Sequence, residues 1–133
     1  MITNKEADEA LTAMISDAVE DITRLTGGVA MCTYTKAGNP VPGIKYAEGR
    51  WAALKVVRRS AERGVNYYDA VVAAQAAWQT KLARLEENGA GKDWMAYQHG
   101  GVDALAEFLA VLEGQALDGA AGNTTSFLVA DQG

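Results

Sequence analysis

Apolar residues in the first part of the chain recur at steps of four and three: Ala7, Leu11, Met14, Ala18, Ile22 and Leu25. At 3.6 residues per turn that spacing puts all six on one side of a helix. Thr3, with Glu6 three residues on, makes a capping-box start. Gly27-Gly28 supplies the residue that most readily takes the left-handed conformation closing a helix. The period is then lost. "VAMCTYTKAGNPVPG" brings β-branched and aromatic residues, a Gly-Asn-Pro turn signal and two prolines that a helix interior cannot hold. It predicts a short extended segment or hairpin leading into a loop.

Helical spacing returns in a second helix over about 46–63, closed by Gly64. Asn66, with Asp69 three residues later, caps a third, whose stripe is Tyr67, Val71, Ala74, Trp78, Leu82 and Leu85. "ENGAG" ends it. "DWMAYQH" reads as one or two helical turns that Gly100-Gly101 interrupts. A fourth main helix then follows, with Val102, Leu105, Leu109, Leu112 and Ala116 on one face. The last stretch is a small-residue linker and a short apolar run, Phe127, Leu128 and Val129 at its centre, able to add a strand or dock on a surface. Short connections between amphipathic helices favour antiparallel neighbours, and no solenoid period is present. The predicted fold is all-α: a four-helix bundle-like single domain over 1–118, carrying an extended segment after its first helix and an extended tail over 119–133. Alanines around Trp78 suit close helix approach and imply core packing and no cofactor.

Composition narrows the functional classes. With 133 residues, 49% apolar and 22% charged, the chain has the length of one domain and enough apolar surface for a core. Its net charge of −5 argues against sequence-independent binding to nucleic acid or to an anionic membrane. Cys32 is the only cysteine and His99 the only histidine, so neither an intrachain disulfide nor a Cys/His zinc site is available. The acidic, amphipathic start is unlike a secretion signal, and no run of ~18 apolar residues suggests a membrane span. A cytoplasmic protein is expected, or a virion component if the chain is phage-encoded.

The charge is unevenly spread. Residues 1–26 carry two basic and six acidic side chains, whereas residues 45–64 carry six basic and two acidic ones. On the second helix Lys55, Arg59 and Arg63 form one i, i+4, i+8 ridge with Arg58 and Trp51 alongside, able to grip a phosphate or stack on a base. The same ridge also fits the plain solvated back of an amphipathic helix. Arg50 differs, because it shares the apolar side with Leu54, Val57 and Ala61 and needs a partner. Asp17 and Asp21, flanking the first helix's stripe, are the expected partners in a buried ion pair.

Catalytic signatures are weak. No glycine-flanked serine or Cys–His arrangement accompanies His99, which reads as a helix-end residue beside Gly100-Gly101. "ENGAGKD" lacks the first glycine and the Ser/Thr of a phosphate loop. Asp17-x-x-Glu20-Asp21 offers one carboxylate pair of the type that all-helical nucleotide pyrophosphohydrolases use for magnesium, but no second pair faces it. The fourth helix has apolar surface beyond one stripe. Phe108 flanks the main face, and Ala104 with Val111 lies opposite, so a covering partner is expected: the tail's Phe127, Leu128 and Val129, or another copy. The resulting expectation is a non-enzymatic assembly or structural protein, working through protein contacts as a homo-oligomer or as part of a larger particle such as a phage virion or connector. The alternative is a small regulator that captures a nucleotide or nucleic-acid backbone on the basic helix.

Overall fold

The computed structural model describes residues 2–27 and 43–114. They form four helices: α1 (Asn4–Thr26), α2 (Ile44–Glu62), α3 (Tyr67–Glu87) and α4 (Lys92–Leu112). No strand occurs among the described residues. The segment read as extended after α1, the boundary at 118, Ala116, and Phe127, Leu128 and Val129 of the tail lie outside them.

Local chemistry sets the helix ends. At α1 the Glu6 amide donates to Thr3 Oγ1 at 3.1 Å and the Thr3 amide to Glu6 Oε1 at 2.9 Å, while Gly27 closes the far end at φ 67°. Asn66 accepts the Asp69 amide at 2.8 Å to start α3. α2 begins at Ile44, two residues earlier than the pattern suggests, because the Gly43 carbonyl already accepts the Ala47 amide at 3.1 Å.

Four-residue turns at 63–66 and 88–91 reverse the chain, so α1 and α3 run one way and α2 and α4 the other. Leu11, Leu54, Val57, Val71, Leu105 and Phe108 are fully buried between them. At one end the Ile2 amide donates to the Leu112 carbonyl at 3.1 Å, fastening the start of α1 to the end of α4.

The packing departs from a square bundle. α2 and α4, which share a direction and would normally sit across the diagonal, form the most extensive contact, whereas α1 and α4 touch little. Glycine makes this possible. A Cβ on Gly49 would overlap the Tyr97 carbonyl, and one on Gly100 would overlap the Tyr46 carbonyl, so the two backbones meet directly. Each helix contributes the same Tyr-x-x-Gly unit, Tyr46–Gly49 and Tyr97–Gly100, packed reciprocally. Gly101 is equally constrained, because the Trp78 ring covers it, and Gln98 Nε2 fixes that neighbourhood by donating to the Trp78 carbonyl at 2.9 Å.

Two expectations are therefore corrected. Gly100-Gly101 does not interrupt a helix: α4 runs straight through it, since glycine costs only about 1 kcal/mol per helix position and here permits backbone contact. His99 consequently sits exposed in mid-helix, not at a helix end. The second correction concerns the apolar breadth of α4. Ala104 and Phe108 have no exposure and belong to the core between the helices, whereas Val111, 9% exposed, lies at the edge facing α1. A helix touched by α2, α3 and α1 needs apolar residues most of the way round.

Candidate functional site: the seam between α1 and α4

Because α4 is drawn against α2, the edge between α4 and α1 is left open among the described residues. The opening is a cleft of about 320 Å³. Its floor is apolar and built from small side chains, Ala10, Ala13 and Ala18 with Met14 from α1 and Val111 from α4. Four charged residues stand round it: Asp17 and Asp21 on α1, Arg50 on α2 and Glu107 on α4. The periodicity of α1 explains the lining, since Ala10, Met14, Asp17 and Asp21 recur at steps of four and three along the edge of its buried stripe.

Arg50 is the key polar residue, and its partner differs from the expected one. Its guanidinium donates through both terminal nitrogens to Glu107, at 2.7 and 3.0 Å, leaving the Arg50 side chain 18% exposed and Glu107 53% exposed. Asp17 and Asp21 stand across the cleft, and Asp21 instead accepts from Arg24 at 2.7 Å. The short α2–α4 diagonal is the reason, because it brings Glu107 within reach of Arg50. The two-pronged hydrogen bond to Glu107 is the main influence holding the guanidinium protonated beyond its ordinary value, against the opposing effect of burial. One turn away Tyr46 donates its hydroxyl to Asp103. Tyr46/Arg50 and Asp103/Glu107 are thus matched i, i+4 pairs on two helices running together. Burial, then the bond to Asp103, push the Tyr46 phenol above its ordinary pKa. Glu107 was not anticipated as a partner, although the matched spacing is legible once α4 is read through its glycines.

The basic ridge of α2 lies on another side. Lys55 is half-buried, its Nζ 5.9 Å from the Trp51 ring centroid, while Arg59 and Arg63 are exposed. Trp51 itself is 38% exposed. Among the described residues no carboxylate pairs with Lys55, Arg59 or Arg63. Arg58 does not join this set. It turns to α1, donating to Thr12 Oγ1 at 2.6 Å and to Asp8 at 3.4 Å, and Asp8 also accepts from the Tyr67 hydroxyl. Of the residues expected to bind an anion, Arg58 is thus engaged on α1, whereas Trp51, Lys55, Arg59 and Arg63 follow one another at four-residue steps along α2 and its C-cap. A third feature, Trp94, is 65% exposed at the start of α4, with its ring edge against Tyr97, which in turn packs on Trp78.

Asp17, Asp21 and Glu107 surround one opening, yet among the described residues no three His, Cys, Asp or Glu side chains gather closely enough to hold a metal ion. No helix among them is long and apolar enough to cross a membrane. Fold and site together define an up-and-down helical bundle whose diagonal helices touch and whose α1–α4 edge is an amphipathic cleft. Compared with protein-family models, curated proteins and solved structures, the chain matches none.

Proposed function

We propose that this chain is a non-enzymatic assembly protein, acting through protein–protein contacts as a homo-oligomer or as one component of a larger particle. The observation that carries the reading is the open cleft, with its apolar floor and charged rim. An apolar core inside a polar rim is the anatomy of a protein interface. Exposed Trp51 and Trp94 support it, since tryptophan is enriched among residues that dominate binding energy. Ala104 and Phe108 do not add to it, because they are used inside the bundle, and α4 contributes Val111 to the cleft. Light scattering across a concentration series tests the proposal. Masses above that of one chain are expected, and a constant single-chain mass, alone and with candidate particle components, would refute it.

A second reading rests on Lys55 beside Trp51 and on Arg59 and Arg63 further along α2, which pair with no carboxylate among the described residues: capture of a phosphate-bearing ligand on α2. It requires binding that weakens steeply with salt. It also requires loss of that binding in an Arg59/Arg63 double alanine variant, with Arg58 left in place on Asp8.

A further inference from the structure

We infer that the cleft between α1 and α4 receives the Trp51–Lys55 ridge from a second copy of this chain. The inference rests on the assembly reading above and names the partner and the contact.

Charge complementarity selects the occupant. The floor asks for an apolar body, and the volume is at the lower end of what small-molecule pockets span, about 300–1,000 Å³, so one large side chain suits it. The rim is acidic in balance by one charge: Glu107 engages the fork of Arg50 and Asp21 pairs with Arg24, which leaves Asp17 at the rim for an incoming cation. An indole with cations beside it answers both demands. The chain presents that combination at Trp51, where Lys55 lies over the ring and Arg59 and Arg63 continue the same i, i+4 line. Trp94 is more exposed but follows Asp93 and leans on Tyr97, so it brings no comparable positive field. Residues 115–133 contain Asp118 and Asp131 and no Lys or Arg, which sets like charge against the rim.

Arg50 borders the cleft, and Trp51, the next residue, points about 100° further round α2. Donor ridge and acceptor cleft are therefore different patches of the surface. Such a contact is either made twice in a two-fold pair, each copy giving its ridge to the other's cleft, or repeats from copy to copy as a ring or fibre.

The experiment uses two charge-reversal variants of the full chain, followed by sedimentation velocity at low salt. One alters the cleft (Asp17→Lys with Asp21→Lys), the other the ridge (Lys55→Glu with Arg59→Glu); none of the four is buried, and far-UV circular dichroism checks that both variants fold. The native chain is expected to associate, and each variant alone to lose at least tenfold in association constant. A mixture is expected to regain association, because the intact ridge meets the intact cleft and the reversed ridge, now acidic, meets the reversed cleft, now basic. Association unchanged in both variants would overturn the cleft contact while leaving the assembly reading standing, and would point to Trp94, residues 28–42 or the tail. A native chain that stays single up to high micromolar concentration would overturn this contact and self-assembly together.

Discussion

Replacing Gly49 by alanine separates two effects of opposite sign. In an exposed helix interior the change stabilises by roughly 1 kcal/mol, because alanine loses less backbone freedom. Here the new Cβ would lie inside the Tyr97 carbonyl, a main-chain group with no rotamer to move aside. α2 and α4 would have to separate, and a gap of 0.5–1 Å already forfeits about a quarter to a half of each dispersion contact it opens. Overpacking of this kind costs about 1–3 kcal/mol or more, and the loosened Leu54, Val57 and Leu105 layer adds to it. The net expectation is a loss of about 2–3 kcal/mol, a large part of the roughly 5–15 kcal/mol typical of a domain. At about 4 °C per kcal/mol, the midpoint should fall by about 10 °C. Gly100→Ala should behave alike, and the double variant should cost less than the sum, since one separation relieves both clashes. Urea unfolding followed by far-UV circular dichroism reads all three. Gly91→Ala, which meets open space outside the helix interior, serves as control with a change below about 1 kcal/mol. Stabilisation by Gly49→Ala or Gly100→Ala would refute the backbone contact and, with it, the account of why the cleft is open.

Three further outcomes follow from the side chains. Phe108→Ala should cost about 3–5 kcal/mol in urea unfolding, as for a fully buried ring edge-on to Tyr67, whereas a surface position would give about 0.5 or less. Glu107→Gln should cost about 1 kcal/mol, discounted because Glu107 is half exposed, and Asp17→Asn about 0.5 kcal/mol or less; equal losses would contradict the assignment of Arg50 to Glu107. The phenols of Tyr46, Tyr67 and Tyr97 are all pushed above the ordinary value of 10.0, chiefly by burial. A pKa raised on folding favours the protonated native state, so that contribution is complete below the unfolded value and disappears as pH rises through the folded one. Stability should therefore decline above about pH 10, and Tyr46→Phe should flatten the decline; an unchanged slope would contradict the Tyr46 assignment.

Much of the fold is written in local chemistry. Thr3 with Glu6, Asn66 with Asp69, and the glycines after each helix act within a few residues, so the sequence shows them directly. Gly100-Gly101 misleads because its meaning depends on a distant backbone: nothing within α4 reveals that Tyr46 and Trp78 occupy the space a side chain would take. The error over Arg50 has the same origin. Pairing it with Asp17 and Asp21 assumes that α1 is its nearest acidic neighbour, and only the glycine contact makes Glu107 nearer. Reading Ala104 and Phe108 as surplus surface assumed that α4 packs on one side only. The cleft joins residues from three helices, and no single stretch of sequence announces it.

The Tyr-x-x-Gly pair has a mechanical consequence. Main-chain atoms in mutual contact have no alternative rotamers, so the crossing of α2 and α4 acts as a pivot of fixed length. α1 is tied to that crossing mainly along α2, with one amide fastening its start to Leu112. With that crossing fixed, the width of the seam is set by where α1 lies along α2, and any widening has to break contacts of α1 before it disturbs the α2–α4 pair.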